Sequence, residues 1–352
     1  MIKRFIAAIL SVFALMPLSA KADNVYGLSL SAQSAVLMEA DSKSTVFEKN
    51  ASQKMPMAST TKIMTALVVL ENLSLSHEFK VNEAAVGTEG TSAYLQKGDT
   101  LTVEAALYAL LLQSANDAAN ALAYELCGSI EDFAALMNAK ASELSLKNTS
   151  FKNPSGLPAD GHFTTARDLA YLGAVCIENE DFKRIVSTKS ADVKINGKDR
   201  TFVNHNKLLS LCEGAFGIKT GFTKESGRCL VGACERNGVR FVTVTLDASC
   251  DWNDHSKMLQ FGFEKYRSYL LYSKDSFIIE LPVAGRSTCV SLTSEGEKRV
   301  SLPKDSIVTV SVFAPSLLTA PISAGDTVAT AVFICDGKVI CKTDLKAITE
   351  VE

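Results

Sequence analysis

Three short groups of residues carry the chemistry that this sequence suggests: Ser59 with Lys62, Ser114 with Asn116, and Lys219-Thr220-Gly221. On a helix, Ser59 and Lys62 share one face a turn apart. Near a helix N-terminus the dipole favours negative charge developing on the Ser59 oxygen. A desolvated lysine that has lost its proton is a base able to activate such a serine. Lysine's ordinary pKa of about 10.4 is the obstacle. Burial and a second cation both lower it, and Lys219 is the candidate second cation. Serine is also a common helix cap, and Ser301-Leu302-Pro303-Lys304 repeats the same spacing. The pair therefore gains its meaning from its setting. Behind Ser59 come Ile63, Met64, Leu67 and Leu70 at helical spacing; behind Ser301 there is no such stripe.

Ser114 offers a hydroxyl that relays protons, and Asn116 offers both a donor and an acceptor. In a stretch rich in Ala and Leu they also read as a polar connection between helices. Lys219 and Thr220 suit a carboxylate, and Gly221 lets backbone approach a ligand closely; a lysine guarding an exposed strand edge is the ordinary alternative. A serine nucleophile, a lysine base and a carboxylate-binding strand, in that order, mean acyl transfer without histidine. The histidines His77, His162, His205 and His255 have no Gly-x-Ser-x-Gly elbow to serve. His162 and His205 are expected to make structural hydrogen bonds near the site.

The elements that must position these residues are legible in part. Ala35–Met38 and Thr45–Phe47 flank the turn Asp41-Ser42-Lys43 as an early hairpin. Helices are expected after Pro56, from Thr102 to Leu112, from Asn116 to Leu126, from Ser129 to about Leu144, and from Thr165 to about Ile177. Asn196-Gly197 and Asn237-Gly238 mark hairpins, the second joining Cys229–Glu235 to Val239–Leu246. A last helix is expected over about Trp252 to Tyr266. The pattern is α+β: an antiparallel sheet flanked by helices and carrying a helical insertion. Beyond Lys274, strands at Phe277–Leu281, Ile307–Phe313 and Val328–Cys335, with a turn at Asp336-Gly337, indicate a C-terminal all-β module.

The chain has 352 residues, enough for two domains. Lys3 and Arg4, the apolar run Phe5–Leu18 and Ala20-Lys21-Ala22 have the form of a signal peptide cleaved after Ala22. The expected division is 1–22 leader, 23–273 catalytic domain and 274–352 β-sandwich-like domain. Loss of the leader moves the formal net charge from -3 to -6 by removing Lys3, Arg4 and Lys21, which argues against nucleic acid as partner. No later stretch is long and apolar enough to span a bilayer. The nine cysteines are odd in number and show no CxxC pair, so most are expected to be small buried apolar residues. Cys229 and Cys234, five apart on one strand, should face opposite sides of it. Neither HExxH nor paired CxxC is present, so no metal site is expected.

The chain resembles the serine D-alanyl-D-alanine carboxypeptidases, the low-molecular-weight penicillin-binding proteins, in its Ser-x-x-Lys, Ser-x-Asn and Lys-Thr-Gly motifs. Ala58–Leu67, Asn153–Leu157, Gly161-His162, Thr165–Asp168 and Asn204–Leu209 resemble that family's recurrent stretches. The resemblance implies a β-lactamase/transpeptidase-like fold and a set of roles. Ser59 attacks the carbonyl between two terminal D-alanines and Lys62 takes its proton. Ser114 and Asn116 shuttle the proton and position the amide, while Lys219 and Thr220 hold the substrate carboxylate. The N–H groups of Ser59 and Phe222 form the oxyanion hole. No cofactor is implied; the implied partners are peptidoglycan stem peptides ending in D-Ala-D-Ala and, as covalent inhibitors, β-lactams. An extracytoplasmic location follows from the leader.

Two departures stand out. Relatives often carry an arginine in the loop after the late strands to help hold the carboxylate; here that loop reads Asp251-Trp252-Asn253-Asp254-His255. Lys219 alone, or with His255, is left for the task. Relatives also commonly end in a membrane anchor, whereas the last residues here are Thr349-Glu350-Val351-Glu352, so little or no membrane attachment is expected. A β-lactamase would need a deacylating glutamate before Lys219, for which only Glu143 and Glu178–Asp181 are near. A catalytically silent peptidoglycan-binding protein would not need Ser59, Lys62 and Lys219 together.

Overall fold

The early hairpin forms from β1 (Ser34–Glu39) and β2 (Ser44–Lys49), paired antiparallel. The computed structural model describes residues 27–274, 277–315 and 318–352; the proposed leader and its cleavage site lie outside the described residues. After β2 a single 3-10 turn, Ala58–Thr61, runs directly into α1 (Lys62–Asn72). A two-stranded ribbon of β3 (Glu78–Lys80) and β4 (Thr100–Thr102) leads to α2 (Val103–Leu111), α3 (Asn116–Cys127), α4 (Ile130–Glu143) and α5 (Ala166–Cys176). The caps are local chemistry. The Thr102, Ser129 and Thr165 hydroxyls accept from the N–H groups of Ala105, Asp132 and Asp168, satisfying donors that the first turn leaves over.

Next come α6 (Glu180–Ser187), the hairpin β5 (Ser190–Ile195) and β6 (Lys198–Val203), and the short α7 (Leu208–Leu211). The sequence reading had no helix at α6, which buries Phe182, Ile185 and Val186. The Asn196-Gly197 hairpin does form, but as a separate ribbon outside the main sheet. β7 (Ala215–Thr223), β8 (Gly227–Arg236) and β9 (Val239–Leu246) then complete a five-stranded antiparallel sheet of order β2-β1-β9-β8-β7. Its closing register puts Ser34 opposite Leu246. The helices from α1 to α6 are thus an insertion between two parts of one sheet.

That sheet is buried on both faces. One face, with Val231, Val242 and Val244, packs under the inserted helices. The other, with Phe241, packs against Met258 and Leu259 of α8 (Asp251–Lys265). Cys229 belongs to the first core and Cys234 to the second, as their spacing requires. All nine cysteines are free thiols. Four are buried, so the expectation that most serve as buried apolar residues holds for fewer than half.

The C-terminal region is all β. β10 (Tyr266–Ser273) pairs with β13 (Glu297–Pro303), and a five-stranded sheet has the order β11-β12-β16-β15-β14. Its strands are β11 (Ile278–Pro282), β12 (Cys289–Ser294), β14 (Val308–Phe313), β15 (Thr327–Cys335) and β16 (Lys338–Ala347), around a core of its own with Leu292, Phe333 and Leu345. β10, β12 and β13 were not anticipated. Ser301 lies buried on β13, so the second Ser-x-x-Lys is a strand feature. Among the described residues no helix is long and apolar enough to cross a membrane.

Candidate active site

Ser59 sits in the 3-10 turn and Lys62 is the first residue of α1. In 3-10 geometry residues i and i+3 eclipse, which brings Lys62 Nζ to 2.9 Å from Ser59 Oγ. Ser59 does not cap the helix. The turn is held from behind by His162, whose Nδ1 accepts from the Lys152 N–H, leaving the proton on Nε2 to donate to Thr61 Oγ1. Thr61 in turn donates to the Ala58 carbonyl. Burial holds His162 down to about 4, so it is neutral at pH 7 and purely a brace.

Lys62 is 0% exposed. Besides Ser59, its Nζ meets Asn116 Oδ1 at 2.6 Å and the Ser155 carbonyl at 2.5 Å. Burial, and after it the positive charge of Lys219, place its pKa well below 10.5, against a smaller opposing pull from Asp117. A neutral amine has two donors and one lone pair. Once Lys62 has lost its proton, Asn116 Oδ1 and the Ser155 carbonyl can take the two donors, and the lone pair is then free to face Ser59 Oγ. This is the arrangement a general base requires. The Ser155 role was invisible in the sequence because it is played by backbone, although the surrounding Asn153–Leu157 stretch had been singled out.

Asn116 opens α3, its Nδ2 donating to the Glu89 carbonyl at 2.6 Å, so its amide orientation is fixed at both ends. Ser114 lies in the link between α2 and α3 with φ +65°, a left-handed conformation that serine rarely adopts. Strain of this kind costs about 1–3 kcal/mol and persists where the surroundings enforce it. It brings Ser114 to the wall of the same cleft as Ser59.

β7 passes so close to the Ser59 turn that any side chain larger than glycine's would crowd it. A Cβ on Gly221 would lie 3.0 Å from Ser59 N and 3.2 Å from Ala58 Cβ. On another side Gly156, at φ +88°, would place a Cβ 1.9 Å from the Ala58 carbonyl oxygen. Lys219, on β7, is 1% exposed and donates to the Thr220 carbonyl. Burial brings its pKa from 10.5 to about 7.

These elements enclose an open cleft of about 370 Å³, lined by Ser59, Ser114, Thr220, Gly221 and Phe222 among others. His205 and Lys207 also line it; burial, then Lys219, lowers the His205 pKa. His255 does not. It is 0% exposed, its ring nitrogens bonded to Thr243 and Thr245 between β9 and α8, and burial lowers it to about 3. The expectation that it helps hold a substrate carboxylate is thereby corrected: a residue early in α8 turns its side chain onto the sheet. The two residues that do reach the cleft from this segment are Asp251 and Trp252, together with Arg228 of β8, which the sequence reading had passed over. Glu143, Glu178 and Asp181 are tied to Lys140, Lys43 and Arg184 and do not line the cleft. Among the described residues, no group of three or more His, Cys, Asp or Glu side chains could hold a metal ion.

Comparison with known proteins agrees with this geometry over most of the chain. Residues 19–250 match the family described as D-alanyl-D-alanine carboxypeptidase, and residues 266–352 match the C-terminal domain of penicillin-binding protein 5. D-alanyl-D-alanine carboxypeptidase DacF of Bacillus subtilis is 32% identical over 91% of this chain and 86% of its own length. The crystal structure of penicillin-binding protein 5 from Haemophilus influenzae superposes with a TM-score of 0.71 at 27% identity, covering 93% of this chain and 99% of that one. A Streptomyces K15 DD-transpeptidase structure, at 33% identity and a TM-score of 0.63, covers 67% of this chain and 99% of its own.

Proposed function

The chain belongs to the D-alanyl-D-alanine carboxypeptidase family and is a serine-type carboxypeptidase; from that premise we propose how its residues divide the reaction. Ser59 Oγ attacks the carbonyl carbon between the two terminal D-alanines of a peptidoglycan stem peptide, and its proton passes to Lys62 Nζ. The oxyanion is held by the N–H groups of Ser59 and Phe222, whose segments the Gly221 contact brings together. Each such donor is worth about 3 kcal/mol to the transition state. The C–N bond then breaks, and the departing amine takes the proton from Lys62 by way of Ser114. Asn116 holds both Lys62 and the substrate amide. Water adds to the Ser59 ester, and its collapse frees the shortened peptide and the hydroxyl. Lys219, Thr220, Gly221 and Phe222 form the strand along which the substrate lies.

A β-lactam presents the same carbonyl in a strained amide, so penicillins acylate Ser59 and remain attached. The leader-like first 22 residues support an exported protein working at the cell envelope. The observation that carries the mechanism is the complete burial of Lys62 with its Nζ 2.9 Å from Ser59 Oγ and bonded also to Asn116 Oδ1 and the Ser155 carbonyl. Mass spectrometry of penicillin-treated protein is expected to place the adduct on Ser59, with Ser59→Ala losing both adduct and D-alanine release. Undiminished release from Ser59→Ala would remove Ser59 from the mechanism. Rapid turnover of penicillin would indicate a β-lactamase instead.

A further inference from the structure

The leaving residue of a carboxypeptidase substrate carries a free carboxylate, and the loop after β9 supplies no arginine for it. We propose that Arg228 of β8 recognises this carboxylate together with Thr220. The inference rests on the carboxypeptidase reading above.

The register carries the first part of the argument. Arg228 stands directly opposite Phe222, and Thr220 opposite Leu230. Directly opposed residues share a face of the sheet, and so do residues two apart on one strand. Arg228, Phe222 and Thr220 therefore project from the same face, with Arg228 and Thr220 as diagonal neighbours at about 7–8 Å. All three line the cleft that contains Ser59. Lys219, one residue along β7, belongs to the opposite face and is buried there. From there its positive charge adds to burial in lowering the Lys62 pKa.

The second part is preorganisation. Arg228 Nε and Nη2 both lie 3.0 Å from Asp251 Oδ1, and the guanidinium lies over the Trp252 ring with 5.8 Å to the centroid. Asp251 is itself buried at the start of α8. One edge of the guanidinium is thus fixed, and of its five N–H donors three remain, those of Nη1 and one on Nη2. The side chain keeps 44% of its surface exposed. An arginine held along one edge and open on the other is suited to a second carboxylate, because its planar fork matches two oxygens at once. Asp251 offsets the Arg228 charge, but Lys207 lines the same cleft, so the charged side chains there still sum to one positive charge.

The test compares an acyl-D-Ala-D-Ala peptide with the same peptide bearing a C-terminal carboxamide, using wild type, Arg228→Gln and Arg228→Lys. Melting temperature serves as the fold control, and acylation of Ser59 by an uncharged thioester reports on the nucleophile. Arg228→Gln is expected to lower kcat/KM on the free acid by roughly 10- to 100-fold, the range for a charge-assisted hydrogen bond. The preference for acid over amide should shrink by the same factor, and Arg228→Lys should recover part of it. The pH at which acylation is lost on acidification should not move in Arg228→Gln, because Lys62 is not its target. Equal losses on acid and amide, or no loss on either, would overturn the proposal. A wild type that releases no D-alanine and takes no penicillin on Ser59 would instead overturn the carboxypeptidase reading.

Discussion

Two buried lysines in one site are expensive, because burial penalises each charge and each charge penalises the other. In the proposed mechanism that cost is what makes Lys62 a base. Acylation of Ser59 is expected to decline as the pH is lowered, following a single proton onto Lys62. In Lys219→Met the neighbouring positive charge is gone, the Lys62 ammonium is less disfavoured, and the acidic limb moves to higher pH. Pre-steady-state acylation by a chromogenic β-lactam across pH reads this directly; an unmoved limb would mean that Lys219 does not tune Lys62. The same variant has a stability signature. Folded Lys219 gives up its proton near pH 7, whereas the unfolded chain keeps it to about 10.5. Between those values the unfolded state binds more protons, so stability from this group rises with pH, and below pH 7 the full penalty stands. Lys219→Met should therefore unfold at higher urea than wild type at pH 7, by about 1–4 kcal/mol as for comparable replacements of buried charge. The gap should narrow toward pH 10.

At the scale of elements, the site is made by close approach of three segments: the 3-10 turn before α1, the loop at Gly156, and β7. Gly156→Ala must displace the Ala58 carbonyl or the loop and also strain a φ of +88°. A cost of about 2–4 kcal/mol is expected from overpacking and strain together, measured by denaturant unfolding. Gly221→Ala meets softer contacts of 3.0–3.2 Å. Its larger effect should be on rate, a loss below the roughly 100-fold that a full ångström's misplacement of Ser59 would cause. What could be read in advance at this scale was whatever depends on near neighbours in sequence. Thr102, Ser129 and Thr165 announce their helices because a cap bonds to a donor three residues on. The early hairpin and the nucleophile helix were legible for similar reasons. α6 was not, since eight residues carry only Phe182, Ile185 and Val186 as an apolar pattern. The Arg228–Asp251 pair was not legible either, because sheet register and the start of α8, not spacing, bring them together. The same is true of the Ser155 carbonyl on Lys62. His255 misled for the converse reason: its place in the loop sequence was right, but helix rotation turns it onto β9.

For the whole molecule, the three apolar cores are separate, and the buried residues of the third all come from the C-terminal region after α8. The residues around Ser59 draw on the first two alone. A chain ending after Arg267 is therefore expected to take penicillin on Ser59 at the wild-type rate, as gel labelling with a fluorescent penicillin would show. Loss of labelling in a truncated chain with a cooperative thermal transition would mean that the C-terminal sheet supports the site.

The strand order has a temporal meaning as well. β7 is held to β1 only through β8 and β9, and the pairing of Ser34 with Leu246 closes the sheet around everything inserted between them. Such long-range pairing forms late in folding, after its loop entropy has been met. Gly221 presses on the Ser59 turn only when that closure is made. Reactivity toward penicillin is thus a property of a chain emerged to at least Leu246, and a brief radioactive pulse chased with a labelled β-lactam would time the end of folding, while shorter nascent chains stay dark.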